Sequence, residues 1–228
     1  MPGVADACSG FDHPIFSESI RLIRAALANG PSEQRLDLHR FTQPEQDVLL
    51  RLIHSSGDLS VAVDLRFSEG ACLAGLRALA AGAPILTDTA MAAAAVAPMA
   101  RRTFANDVCS VLSWAPAQAP VGGTRAAVGM ERALQEHPGA VVLIGSAPTA
   151  LELLLDQVAA GRTAVPALVI GMPVGFVGVA ESKRHLAASG LAQIRLEGSR
   201  GGAGLVGAAA NALLRRAWLD QVGTGHTY

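Results

Sequence analysis

An unbroken run of residues, Thr163 to Ala180, carries no charge, and a run of that length must be either a membrane span or the buried middle of a sheet. Pro166, Pro173 and the glycines at 171, 175 and 178 interrupt it. In lipid those breaks would leave backbone N–H and C=O groups without partners, so the sheet is the better reading. A strand from Ala167 to Ile170 then ends in the loop GMPVGFVGVAESK, Gly171 to Lys183, and Glu181-Ser182-Lys183 opens the next helix with an acidic group at its positive end. In open α/β sheets, loops that leave the carboxyl ends of strands are where ligands sit.

Upstream and downstream of that loop the pattern alternates. Strands are expected at Pro84 to Thr87, Asp107 to Leu112, Ala140 to Gly145, Ala167 to Ile170 and Ala192 to Glu197, separated by helices through MAAAAVA, TRAAVGMERALQEH, PTALELLLDQVAA, the segment from Glu181, and GLVGAAANALLRRAWL. Five short strands with intervening helices imply βαβ crossovers and a parallel sheet covered on both faces. Before Pro84 the chain reads as helical. Ile15, Ile20, Ile23 and Leu27 fall near one face of Pro14 to Ala28, and the segment SEQRLDLHRF is a polar connection. Thr42 and Glu45 form a capping box with Pro44 in the first turn, starting a helix that stops at Gly57; an amphipathic stretch, Asp58 to Phe67, precedes the helix ACLAGLRALAAG. The expected fold is therefore a single-domain, three-layer α/β structure. It has a five-stranded, mostly parallel sheet, a βα-repeating portion from about 84 to 219 and an N-terminal helical cap over about 13 to 81.

At 228 residues, 50% hydrophobic and only 16% charged, the chain is rich in apolar surface, and a buried subunit interface would absorb the surplus. A net charge of −1 with no block of like charges argues against nucleic acid as a partner. Cys8, Cys72 and Cys109 form no CxxC and read as reduced core thiols, with no zinc site or disulfide framework. The N-terminus lacks the basic start and apolar stretch of a signal peptide, so a cytoplasmic location is expected.

Several motifs bear on chemistry. Gly202-Ala203-Gly204-Leu205-Val206-Gly207 is formally GxGxxG, but a dinucleotide fold needs a further strand with an acidic residue, and the sequence ends after one helix. Close helix-to-sheet packing or an anion-binding turn fits it better. Gly145-Ser146-Ala147-Pro148-Thr149 is not a GxSxG nucleophile elbow. Gly122-Gly123-Thr124-Arg125, in a strand-to-helix loop, offers free N–H groups and a guanidinium to a carboxylate or phosphate; a solvated capping turn explains it equally well. Of six histidines, His13, His39, His137, His185 and His226 lie beside polar or turn residues. His54 falls in the last turn of the capped helix, where the helix dipole favours its protonated form and Arg51, one turn back, opposes it. Such a balance holds an imidazole near neutral pH, as a general acid or base requires; an ordinary helix-end histidine is the plainer alternative. No second ligand sits at metal spacing around it.

Together these segments resemble the precorrin-8X methylmutase family, also called precorrin isomerases or cobalt-precorrin-8 methylmutases. The similarity runs from Ile15 to Leu214 and rests on RLIHSSG (Arg51 to Gly57), GAPILTD (Gly82 to Asp88), GGTRAA (Gly122 to Ala127), VVLIGSAPTAL (Val141 to Leu151) and GMPVGFVGVAESK, in the family's order. The resemblance implies a homodimeric enzyme of vitamin B12 synthesis that needs no cofactor. It would move a methyl group between adjacent carbons of a contracted tetrapyrrole, turning precorrin-8X or cobalt-precorrin-8 into hydrogenobyrinate or cobyrinate. The family's catalytic histidine matches His54, which would protonate a ring nitrogen. Its substrate-contacting serine matches Ser19, its arginines match Arg51 and Arg125, and Thr124 adjoins Arg125 in the same segment. Where family members often read GNTRS and IGNAPTA, this chain has Gly123, Ala126 and Ser146, and about nine extra residues lie within Pro31 to Gln43. The substrate's many carboxylates on an apolar macrocycle call for a broad apolar crevice rimmed by arginines and helix N-termini.

Two other functions remain open at this point: a corrinoid carrier with little turnover, and an NAD(P)-dependent oxidoreductase resting on Gly202 to Gly207 alone. Nicotinamide nucleotides are expected to leave the thermal midpoint unchanged, whereas a midpoint that climbs with nucleotide concentration would revive the oxidoreductase.

Overall fold

The computed structural model describes residues 11–31 and 35–223, so Cys8 and His226 lie outside the described residues. Its helices are α1 (Pro14–Asn29), α2 (Gln43–Ser56), α3 (Val61–Asp64), α4 (Ala71–Ala80), α5 (Ala90–Arg102), α6 (Arg125–Glu136), α7 (Pro148–Ala159), α8 (Val179–Ala188) and α9 (Ala203–Gln221). Its strands are β1 (Leu65–Phe67), β2 (Ile85–Thr87), β3 (Val108–Ser110), β4 (Val141–Ile144), β5 (Leu168–Gly171) and β6 (Gln193–Leu196).

The sheet has six strands, not five, in the order β1-β6-β5-β4-β2-β3. The five expected strands run parallel. The sixth, β1, pairs antiparallel with β6, matching Leu65 to Leu196 and Phe67 to Ile194. It comes from the stretch read only as amphipathic, where α3 makes a single turn before the chain extends. Three residues are too few for alternation to declare a strand; pairing with β6 decides it. The uncharged run becomes β5, whose four residues are all buried. No helix among the described residues is long and apolar enough to cross a membrane.

Two aliphatic cores sandwich the sheet. One joins α1, α2, α4, α5 and α9, and the other joins α6, α7 and α8. Helix α2 forms for the reasons its sequence suggests. The Thr42 backbone N–H donates to the Glu45 carboxylate at 2.8 Å, Val48, Leu49, Leu50, Leu52 and Ile53 are buried, and Gly57 ends the helix at φ 66°. In α1 the buried residues are Ile20 and Leu27, while Ile15 is exposed and Phe16 turns toward α2 instead. Cys72 is buried and Cys109 half-buried; both are free thiols.

After β2 the chain crosses to the α5 face and after β4 to the α7 face, so the switch point lies between these strands, where open sheets usually bind ligands. Here protein fills it. The buried Asp88 carboxylate, just past β2, accepts the Ser146 and Ala147 N–H groups at 2.6 and 2.8 Å. Burial pushes its carboxyl above the usual range, and the backbone amides work against that. A Cβ on Gly145 would lie 2.7 Å from the Ala203 nitrogen, so the start of α9 presses on the β4–α7 turn. Of the glycines at 202–207, Gly207 serves helix packing, since a Cβ there would lie 2.8 Å from the Ala95 side chain; Gly202 turns the chain at φ 131°, and a Cβ on Gly204 would meet nothing within 4 Å. Gly171 serves packing as Gly207 does, since a Cβ there would meet the Leu186 side chain at 2.4 Å.

Gly145→Ala is expected to lower stability by about 1–3 kcal/mol, the usual cost of overpacking a closed site. The urea midpoint measures it, and an unchanged midpoint would mean that α9 does not press on the turn.

Candidate active site

His54 occupies the last turn of α2, and α1 lies across it. Ser19 of α1 places its Oγ 2.7 Å from His54 Nδ1. Phe16, one turn earlier on the same helix, sets its ring edge-on to the imidazole, with centroids 5.1 Å apart and planes at 89°. The Arg51 guanidinium lies over that phenyl ring, 4.4 Å from its centroid. Helical spacing produces the cluster: Phe16 and Ser19 are three residues apart on one helix, as are Arg51 and His54 on the other.

The half-buried imidazole titrates below its ordinary range. Burial is the main cause and the Arg51 charge the second. The balance expected from the helix dipole therefore tips toward the neutral ring. In a neutral imidazole whose Nδ1 accepts the Ser19 hydroxyl proton, Nε2 carries the hydrogen, and this is the nitrogen turned away from Ser19.

Thr124 and Arg125 sit elsewhere, at the start of α6. Thr124 Oγ1 accepts the Ala127 N–H at 3.2 Å, capping the helix, and lies 2.7 Å from Thr149 Oγ1 at the start of α7. Thr124, but not Arg125, lines a cavity of about 500 Å³ bordered also by Gly122, Thr149, Glu152, Asp156, Val177 and Glu181. The N-terminal ends of α6, α7 and α8 meet there, which favours anions, but the Glu152, Asp156 and Glu181 carboxylates oppose them. Arg125 is exposed and its Nε donates to the Pro116 carbonyl at 2.8 Å. Ser19, Arg51 and His54 line no part of this cavity. Within one chain, then, the structure gathers Ser19, Arg51 and His54, gathers Thr124 with Arg125, and leaves the two groups apart.

Sequence alone does not single out Phe16, because the apolar periodicity of α1 runs through Ile15, Ile20, Ile23 and Leu27. The signal that could have found it is its three-residue spacing from Ser19. Of the other histidines, His185 pairs with Glu152 at 2.9 Å on the surface, and the carboxylate raises its pKa. Among the described residues, no group of three His, Cys, Asp or Glu side chains is arranged to hold a metal ion.

The sequence profile of the precorrin-8X methylmutase family matches residues 14–216. The chain is 47% identical to a precorrin-8X methylmutase of Pseudomonas aeruginosa, over 87% of this chain and 93% of that one. It is 36% identical to a cobalt-precorrin-8 methylmutase of Synechocystis, over 92% and 98% respectively. A crystal structure of precorrin-8X methylmutase from Thermus thermophilus superposes with a TM-score of 0.74 at 39% identity, over 90% of this chain and 98% of that one.

Arg51→Met removes the positive charge nearest the imidazole. The His54 pKa is expected to rise, because one of the two influences that disfavour the imidazolium is gone. NMR titration of the imidazole reads this directly, and a pKa that stays put or falls would show that Arg51 does not act on the ring.

Proposed function

The chain belongs to the precorrin-8X methylmutase family, isomerases of corrin synthesis, and we propose that it shifts a methyl group on precorrin-8X or cobalt-precorrin-8 with His54 as the general acid and base. The observation that carries this reading is the Ser19–His54 contact. It engages Nδ1, orients the ring and leaves Nε2 to exchange a proton with a ring nitrogen of the substrate. A positioned proton and a shaped cavity suit a methyl shift within one conjugated ring system, where no nucleophile is called for.

The depressed titration of His54 fits a site that charges only when loaded. A precorrin brings many carboxylates, and their negative charge next to the ring favours imidazolium and offsets Arg51. Protonation is then coupled to binding. Arg51 and Arg125 would hold peripheral carboxylates, and the Thr124 hydroxyl and the helix N-termini around the 500 Å³ cavity would hold others.

Two copies of the chain would complete the site. Phe176 and Val177 are 94% and 88% exposed at the rim of the Thr124 cavity, Val121 is fully exposed beside it, and Ile15 is exposed on α1 next to Phe16. Large apolar side chains held this far into water call for a cover. A homodimer that buries them could bring the His54 cluster of one copy toward the Thr124 cavity of the other.

His54→Ala is expected to bind corrinoid and remain folded while the rate of methyl migration falls by roughly 10²–10⁴-fold. Migration changes the conjugation, so the visible spectrum of precorrin-8 incubated with the protein follows it. Turnover by the variant at the wild-type rate would remove His54 from the mechanism. A wild-type protein that retains corrinoid without spectral change would be a carrier.

A further inference from the structure

Helix α1 supplies both the hydrogen bond to Nδ1 and the aromatic cover of His54, yet it is a surface helix with only Ile20 and Leu27 buried. The alignment of Ser19 and Phe16 with the imidazole therefore depends on how the helix is tied at its start. The residues just before it make the ties. Asp12 meets Arg215 of α9 side-on: Arg215 Nε donates to Oδ1 at 2.8 Å, and its Nη2 donates to Oδ2. Arg215 is 3% exposed, and its guanidinium also lies 5.9 Å from the centre of the Phe16 ring. One residue earlier, the Phe11 carbonyl accepts a hydrogen bond from Arg102 at the end of α5, at 2.9 Å. His13 then caps the helix, its ring accepting the Ile15 N–H at 3.2 Å.

We propose that Asp12 and Arg215 are positioning residues for His54: their bidentate ion pair fixes the entry of α1, and with it the placement of Phe16 and Ser19 against the imidazole. The inference rests on the reading of His54 as the proton-transfer group.

The chemistry of the pair suits this task better than it suits stability. A planar guanidinium gripping a carboxylate with two parallel hydrogen bonds fixes distance and angle together. A buried ion pair often adds little net stability over an apolar replacement, and setting register is its best-attested use. A helix transmits displacement of its first residues along its length. Asp12 precedes Phe16 by four residues and Ser19 by seven, so a shift at the clamp reaches both. Misplacement of a catalytic group by about an ångström can cost about a hundredfold in rate. Among charges on the elements packed around α2, namely Glu18, Arg21 and Arg24 of α1, Asp64 of α3, Arg77 of α4 and Arg215, Arg216 and Asp220 of α9, none acts on the imidazole as Arg51 does. A changed titration in a clamp variant would therefore report altered cover.

The test is the double variant D12N/R215M, in which neither side chain is charged, with D12N and D12E as single variants. Each is measured for thermal midpoint, kcat and KM on precorrin-8, and NMR titration of His54. The double variant is expected to melt near the wild-type midpoint, with kcat lowered roughly 10- to 100-fold, KM nearly unchanged, and the His54 pKa raised toward its ordinary value as α1 loosens its cover. D12E, which keeps the charge on a longer arm, is expected to recover part of kcat. Folded variants with either wild-type kcat or an unmoved His54 titration would overturn the proposal, and if the double variant does not fold, D12N and D12E decide by the same readings. The titration is independent of catalysis. Full activity in His54→Ala would defeat the proton-transfer reading alone, whereas an unmoved titration in the clamp variants would defeat the clamp alone.

Discussion

Helix α9 is buried on nearly every side, and the rest of the molecule is arranged around that constraint. It packs against α2, α4 and α5 and contributes to the larger of the two cores. A helix so enclosed must be apolar all round, and to sit close to three neighbours it must also be slender. Its middle is accordingly glycine and alanine: Gly207, Ala208, Ala209, Ala210 and Ala212 are all buried, and a Cβ on Gly207 would come within 2.8 Å of the Ala95 side chain. Toward its end the composition changes, and Arg215 and Arg216 enter the seam with α2. Arg216 pairs with Asp220 and approaches the buried Asp47 of α2, whose carboxyl is held above its usual range by burial. Arg215 reaches out to Asp12. The seam that seats α2 thus also carries the groups that tie down α1.

The environment of His54 follows from this stacking. Helix α9 seats α2, α2 presents the histidine in its last turn, and α1 crosses over it with a hydroxyl and a phenyl ring. A free histidine at a helix C-terminus would lean toward its charged form. Here partial burial and Arg51 overcome that preference. The outcome is a neutral, oriented imidazole in a protein whose proposed substrate is strongly anionic, and that charge difference lets binding itself supply the drive for protonation.

The parallel strands were legible in the sequence because buried β-branched runs alternate with helices of clear period, and α2 was legible because its capping box and terminal glycine are local signals. The uncharged run could be assigned to the sheet for a similar reason, since its prolines and glycines forbid a lipid-exposed helix. What escaped depends on contacts distant in sequence. Strand β1 exists only through its pairing with β6, more than a hundred residues away. The choice of Phe16 over Ile15 as the inward residue of α1 is made by the surface of α2. Asp12 and Arg215, 203 positions apart, carry no mark in the sequence that they meet. The glycines at 202–207 read in the sequence as helix packing or an anion-binding turn, and Gly207, pressed against Ala95, answers to the first. At the candidate site, His54 in the last turn of a capped helix and Arg51 one turn back were marked by that placement as well as by a family resemblance, and Ser19 by the resemblance alone. The hydrogen bond that relates Ser19 to His54 emerges only when two helices far apart in sequence are packed.

The most direct test of this picture is a crystal structure of the protein with its corrinoid product. The expected result is a macrocycle with one ring nitrogen within about 2.6–3.2 Å of His54 Nε2, the Ser19 contact to Nδ1 intact, and peripheral carboxylates on Arg51 and Arg125. A macrocycle bound with its ring nitrogens turned away from His54, or reaching the imidazole only through Nδ1 with Ser19 displaced, would contradict the role assigned to His54.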